Sequence, residues 1–138
     1  MGVKEWLNRG YKLDREINAL ITAREKVLEL TCRTASGNTS DKVQTSRKNT
    51  SENWYIEYAD YSREIDNQID KLIRIKREIQ NAINRVSDST LRTLLIERYI
   101  NFKTWEQIAV DMNYSLRGVH NLHHKALQKC ALFCTIEK

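Results

Sequence analysis

The sequence has 138 residues, of which 41% are hydrophobic and 30% charged, with four glycines, no proline and a net charge of +5. A proline-free chain of this length, rich in Leu, Ile, Arg, Glu and Lys, predicts a largely helical fold around one modest core. No apolar stretch reaches the roughly 18 residues of a membrane span, and the three cysteines follow no disulfide framework, which excludes membrane-spanning and disulfide-stapled secreted proteins.

The compartment and the kind of partner follow from the same composition. The N-terminus has no apolar signal region, so we expect a cytoplasmic protein with reduced thiols. The positive net charge favours an acidic partner such as nucleic acid. The charge is spread thinly along the chain, except that residues 115–133 hold three basic residues, three histidines and no acid.

Residues 3–32 are predicted to form one long helix. Its apolar stripe recurs at alternating intervals of four and three residues and has one charged interruption; it consists of Leu13, Ile17, Leu20, Arg24 and Val27. Such a stripe is typical of a helix that packs against another helix.

Residues 34–51 break this pattern. Eight of these 18 residues are Ser or Thr, and Val43 is the one aliphatic residue among them. A stretch of this composition buries too little apolar surface to order itself, so the sequence predicts a solvated, disordered loop.

Residues 52–86 are predicted to form a second long helix. Its stripe keeps the same spacing, again with one charged interruption, and consists of Ile65, Ile69, Leu72, Lys76, Ile79, Ile83 and Val86. The two long helices are expected to pair antiparallel, like a coiled coil, as an arm over residues 1–86. The same stripes also fit pairing between two chains.

Residues 87–138 are predicted to form a separate tri-helical domain. N-cap candidates at Ser87, Asp88 and Ser89 precede an apolar face at Leu91, Leu94, Leu95 and Tyr99. Thr104 and Gln107 then match a capping box, which starts a short helix with an apolar face at Trp105, Ile108, Ala109 and Met112. Asn113 suits the left-handed conformation that closes a helix, and Ser115 caps the last helix.

A short helix, a tight turn and a capped second helix are typical of a helix-turn-helix. The second helix predicts an exposed stripe of polar side chains: Arg117, Asn121, His124 and Gln128, flanked by His120 and Lys125. Arg can read guanine and Asn can read adenine, while Lys125, Lys129 and the Ser115 hydroxyl suit phosphates. The stripe also fits a helix face that is merely solvated; the two caps at this spacing, the turn residue and the missing acids together favour DNA.

Residues 91–129 resemble the fourth conserved region of the main bacterial sigma factors. The matching residues follow one another without a gap: Thr104, Glu106, Gln107, Ile108 and Ala109, then Ser115, Val119 and Lys125-Ala126-Leu127. A long helical N-terminal half before such a region resembles the ArpU-type phage transcriptional regulators. The other sigma regions have no counterpart here, so the resemblance indicates a stand-alone regulator.

The resemblance implies that the last helix binds DNA. Leu116, Arg117, His120 and Asn121 fall where sigma regions contact the −35 promoter element. This sequence departs from the family at Leu116, where a polar residue is usual, at Arg117, where an acid is common, and at Gly118, early in the helix. These departures weaken the expectation that an ordinary −35 sequence is the target.

No metal, cofactor or catalytic activity is predicted. His120 and His124, like Cys130 and Cys134, are spaced i, i+4, but on one continuous helix His120 and Cys134 lie some 20 Å apart, too far to share a tetrahedral site. The sequence contains no nucleophile elbow, glycine-rich phosphate loop or HExxH motif.

The sequence therefore predicts an all-α protein that binds double-stranded DNA and regulates transcription, probing the major groove with residues 115–129. Thr104 and Ser115 complete the DNA-contacting set. The arm is expected to form a homodimer or to contact RNA polymerase. Two alternatives stay open: a small terminase-like DNA-packaging subunit, and a sigma-like module that binds polymerase or another host protein without DNA.

Overall fold

The computed structural model describes residues 2–36 and 44–134, and every regular element in these ranges is helical. The helices are α1 (Val3–Leu7), α2 (Arg9–Ser36), α3 (Gln44–Asn84), α4 (Ser89–Leu95), α5 (Trp105–Met112) and α6 (Leu116–Cys130), and α4 continues into a π-helical turn at Ile96–Ile100. The predicted all-α fold, with its long helix pair and helix-turn-helix, is confirmed. Of the helices in these ranges, none is both long and apolar enough to span a membrane.

The first predicted helix is interrupted near its start. Asn8 separates α1 from α2, although its N–H still donates to the Lys4 carbonyl at 2.9 Å and its own carbonyl accepts from Lys12 at 3.2 Å. The interruption is therefore an irregular turn between two nearly continuous helices. Asn is a residue that departs readily from helical geometry, because its side chain competes for backbone hydrogen bonds.

Eleven residues of the predicted loop 34–51 are helical. Residues 34–36 belong to α2 and residues 44–51 belong to α3, while residues 37–43 lie outside the described residues. An established helix adds further residues at little cost, and Ser, Thr, Asn and Lys each disfavour a helix by at most about 0.7 kcal/mol relative to Ala. Without proline, nothing in these stretches stops the helices where their apolar stripes end.

The chain divides into two compact units. The hairpin unit spans residues 14–71, and the core unit combines residues 2–13 with residues 72–134 of the described chain. This division differs from the predicted boundary after residue 86. The end of α3 belongs with the C-terminal helices because Ile79, Ile83 and Val86 are buried in their core, together with Trp6 and Leu7 of α1.

In the hairpin unit, α2 and α3 run antiparallel and contact each other within one chain. Ile17 and Ile65 are its buried stripe residues. Arg24, the charged interruption of the first stripe, places its guanidinium 5.2 Å from the centre of the Tyr58 ring and donates to the Ser62 hydroxyl at 3.1 Å. A cation over an aromatic face is stabilised by the ring's charge distribution, so this position holds a charge at a helix–helix contact.

In the core unit, the charged interruption of the second stripe, Lys76, also lies over an aromatic ring. Lys76 places its ammonium 4.8 Å from the centre of the Phe102 ring. Phe102 adopts the left-handed conformation, with φ of 58°, in the break after the π-helical turn. The predicted apolar face of α4 is fully confirmed, since Leu91, Leu94, Leu95 and Tyr99 are all at most 3% exposed.

Among the three N-cap candidates of α4, Asp88 is the cap. Its carboxylate accepts from the backbone N–H groups of Thr90 at 2.8 Å and Leu91 at 3.2 Å. The Arg92 guanidinium donates to the carbonyls of Val86 and Ser87, at 2.7 and 3.0 Å. These bonds fix the turn that connects α3 to α4.

We expect Asp88→Ala to lower the free energy of unfolding by about 0.5–2 kcal/mol, because two N–H groups at the start of α4 lose their acceptor. Urea denaturation monitored by circular dichroism measures the change. Ser87→Ala is the matched control, since this exposed neighbour does not cap the helix. Equal stabilities of the two variants would show that the Asp88 cap contributes nothing.

Candidate nucleic-acid interface

Three local interactions define the start of α5, its end and the start of α6. The Thr104 hydroxyl accepts from the Gln107 N–H at 3.2 Å, and the Gln107 side chain accepts from the Thr104 N–H at 3.1 Å, which completes the predicted capping box. Asn113 ends α5 in the left-handed conformation, with φ of 60° and ψ of 40°. The Ser115 hydroxyl then accepts from the Gly118 N–H at 3.0 Å and starts α6.

Helix α6 has two chemically different faces. One face is buried and consists of Val119, His123, Ala126 and Cys130, spaced by four, three and four residues. The opposite face carries Arg117, Asn121, His124 and Gln128, all of them exposed. The packing of the first face therefore determines which side chains the second face presents to solvent.

All nine residues predicted to contact DNA are exposed. They are Thr104, Ser115, Leu116, Arg117, His120, Asn121, His124, Lys125 and Gln128. Thr104 lies at the start of α5, whereas the other eight lie at the cap and along α6. Leu116 is a large apolar side chain that is 44% exposed at the first position of α6.

Some of these side chains already have partners within the protein. The hydroxyls of Thr104 and Ser115 accept capping hydrogen bonds and keep their own hydrogens for a further acceptor. The His120 ring packs against the Trp105 indole, with 5.1 Å between ring centres. His120 is thus held at its base by α5, while its exposed edge remains available.

Two acidic side chains that precede α6 in sequence, Glu97 and Asp111, form ion pairs with Lys103. The Lys103 ammonium pairs with Glu97 and with Asp111, at 2.8 Å for the latter. The hydrogen bonds that the Lys103 ammonium donates to the carboxylates of Asp111 and Glu97 raise the pKa of Lys103, so it remains protonated. Within the described ranges, Arg117, Lys125 and Lys129 make no ion pair, which leaves their charge available to a ligand.

Gly118 has a structural reason in the turn that precedes it. A Cβ at this position would lie 3.1 Å from the Ser115 hydroxyl and 3.6 Å from the Tyr114 ring. Glycine therefore allows the cap and the Tyr114 side chain to approach the first turn of α6 closely. Gly118, where the sequence departs from the sigma family, is therefore explained by the close packing at the start of α6.

His123 was not among the predicted site residues, and it is the buried polar group beneath the exposed face. It is 7% exposed, its Nε2 lies 2.6 Å from the Tyr99 hydroxyl, and its ring centre lies 4.5 Å from that of Trp105. Burial, followed by the positive charges of Lys4 and Arg98, lowers the pKa of His123 to about 4. Its spacing from Val119 and Ala126, by four and three residues, is the sequence signal that places it on the buried face.

The chain was compared with known proteins. Residues 33–130 match the family described as "Protein of unknown function (DUF1492)", and because this match covers more than half of the chain, the protein belongs to that family. A segment of 71 residues is 30% identical to the ribosomal RNA large subunit methyltransferase H of Mycoplasma capricolum subsp. capricolum. That segment covers 50% of this chain and 45% of the relative, so less than half of the relative's length is matched. No solved structure matches the chain.

The buried His123 gives the protein a specific pH dependence. Since its pKa is about 4 in the folded state and 6.5 as the ordinary value, the unfolded chain binds the proton more readily. The neutral His123 therefore makes its full contribution to the free energy of unfolding above pH 6.5. This contribution falls as the pH drops through 6.5 and levels off below about pH 4. Between pH 7.5 and 5, we expect wild type to lose about 2 kcal/mol more unfolding free energy than His123→Gln.

Urea denaturation at the two pH values checks this expectation. His124→Gln is the matched control, because it makes the same change at the next, exposed residue. His124→Gln should keep the wild-type pH dependence. A wild type and a His123→Gln variant that lose equal stability would contradict the buried neutral histidine.

Proposed function

We propose that this member of the DUF1492 family is a sequence-specific binder of double-stranded DNA that acts in transcription control. The observation that carries the proposal is the division of α6 into a buried face and an exposed face that combines Arg117, Asn121 and Lys125 with no acid. The capped turn at Asn113 and Ser115 orients that face relative to α5. An α-helix so mounted fits the major groove of B-DNA, which is about 12 Å wide.

The roles of individual side chains follow from their chemistry. Arg117 presents a fork of donors suited to the O6 and N7 atoms of guanine, and Asn121 pairs with the N6 and N7 atoms of adenine. Both lie in the N-terminal half of α6, where helix-turn-helix proteins read base edges. Lys125, Lys129 and the Ser115 hydroxyl supply contacts to phosphate.

The resemblance of residues 91–129 to the fourth conserved region of sigma factors supports this role and extends it. By that analogy, the protein is a phage-encoded regulator located in the cytoplasm. The helical arm then has the task of joining two copies or contacting RNA polymerase. A dimer would read two half-sites about 34 Å apart, so its target would be a palindrome.

An RNA-binding role is the second candidate, and the relative named as a ribosomal RNA methyltransferase favours it. The shape of α6 argues against duplex RNA, because the major groove of A-form RNA is too narrow for side chains to read. A competition experiment with duplex DNA and duplex RNA of the same sequence distinguishes the two candidates, because it measures which nucleic acid the protein prefers.

The test begins with selection of bound fragments from genomic DNA of the source. On the selected site, we expect Arg117→Ala and Asn121→Ala each to reduce affinity by about 1–3 kcal/mol, which is roughly five- to 150-fold. Each variant should also relax preference at one base pair. Fluorescence anisotropy at fixed salt measures both effects, since phosphate contacts make affinity depend on salt.

Arg63→Ala is the control for charge. It removes one positive charge from an exposed position of the hairpin unit and should leave the selected site and the affinity nearly unchanged. A double Arg117→Ala, Asn121→Ala variant that keeps wild-type affinity and site choice would refute the recognition role of α6. Light scattering in the same samples distinguishes a dimer from the ring expected of a terminase-like subunit.

A further inference from the structure

Two cysteines meet at the C-terminal end of α6. The Sγ atoms of Cys130 and Cys134 lie 3.6 Å apart, and the Cys134 thiol donates to the Cys130 carbonyl at 3.2 Å. Both are free thiols; Cys130 is fully buried in the core, and Cys134 is half-buried. The turn that follows α6, in which the Phe133 N–H donates to the Cys130 carbonyl at 2.9 Å, returns the chain to this position.

The two thiols have different environments. The hydrogen bond with Cys130, and the positive charge of Arg9, lower the pKa of Cys134. The same hydrogen bond, together with burial, raises the pKa of Cys130. Because the thiolate is the nucleophilic form of cysteine, Cys134 is the thiol that reacts and Cys130 stays protonated behind it.

Access agrees with this order. Cys134 is half-buried, whereas Cys130 has no exposed surface. The geometry thus supplies one accessible nucleophile and one shielded thiol in contact with it.

We propose that Cys130 and Cys134 form an oxidation site for hydroperoxides, in which Cys134 reacts first and Cys130 then closes an intramolecular disulfide. This proposal is independent of DNA binding. Within the described ranges, no group of three or more His, Cys, Asp or Glu side chains could hold a metal ion.

The reaction balances in two steps. The Cys134 thiolate attacks one peroxide oxygen; the S–O bond forms, the O–O bond breaks, and the leaving alkoxide takes up a proton to become an alcohol. The Cys130 thiol then transfers its proton to the sulfenic hydroxyl as its sulfur attacks the sulfenic sulfur of Cys134; the S–S bond forms, the S–O bond breaks, and the hydroxyl leaves as water. Two thiols are oxidised and one hydroperoxide is reduced.

The movement that this requires is small. A disulfide holds its sulfurs about 2.05 Å apart, so the two Sγ atoms have to approach by about 1.5 Å. Cys134 lies in a bend beyond Cys130, the last residue of α6. Movement of Cys134 towards Cys130 therefore leaves the buried sulfur close to its place in the core.

The experiment treats the reduced, full-length Cys32→Ser protein with hydrogen peroxide, then unfolds it in urea and alkylates the remaining thiols with N-ethylmaleimide, so that the buried Cys130 is accessible to the reagent. Cys32 is exposed on α2 and is removed so that it cannot exchange. We expect an intact mass lower by two hydrogens, loss of both alkylation sites, and a linked peptide that contains Cys130 and Cys134. Dithiothreitol should restore both alkylation sites.

Two variants identify the reacting sulfur. In Cys130→Ala, the sulfenic acid of Cys134 has no partner and should be trapped by dimedone. In Cys134→Ser, the buried Cys130 should remain unmodified at the same peroxide dose. Circular dichroism confirms that each variant is folded.

Full alkylation of both cysteines after peroxide treatment of the Cys32→Ser protein would overturn the proposal. So would peroxide modification of Cys130 in the folded Cys134→Ser variant. The first result comes from the unaltered pair, so it does not depend on whether a core substitution at Cys130 folds. Wild type with Cys32 in place serves as the matched control for an exposed, unpaired thiol.

Discussion

The hydrogen bond between Tyr99 and His123 fixes the arrangement on which the rest of the core unit depends. It joins the π-helical turn to the underside of α6, across 24 residues of sequence and at 2.6 Å. Both groups are buried, and a buried polar group is costly unless it is paired, so the two side chains hold their elements together. With His123 fixed beneath α6, rotation of the helix about its axis is fixed too, and Arg117 and Asn121 are turned to solvent.

The sequence predicts those parts of the fold that depend on local chemistry. The Thr104–Gln107 capping box, the left-handed Asn113 and the Ser115 cap are all as expected, because each depends on residues only a few positions apart. The division of the chain is not predictable in this way. Ile79 and Ile83 continue the stripe of a long helix without any change in spacing, and periodicity does not reveal that they share a buried core with residues of α4.

The same distinction applies to the candidate site. Exposure of the donor face follows from helical spacing, and all of its predicted members are exposed. The burial of His123 was not predicted, because a polar side chain is not expected at a core position. Arg24 and Lys76 are related cases, in which a charge interrupts an apolar stripe and the structure places an aromatic ring beneath it. At these three positions a polar residue does not end the stripe, because an aromatic side chain lies next to it.

The two ends of α6 carry separate chemistry on one helix. Ser115, Arg117 and Asn121 lie in its first half, and Cys130 is its last residue, some 20 Å from Ser115 at 1.5 Å per residue. A disulfide at the far end therefore cannot contact Ser115, Arg117 or Asn121 directly. Any influence of one end on the other has to pass through the buried stripe, in which Cys130 shares the core with Val119 and His123 lies between them.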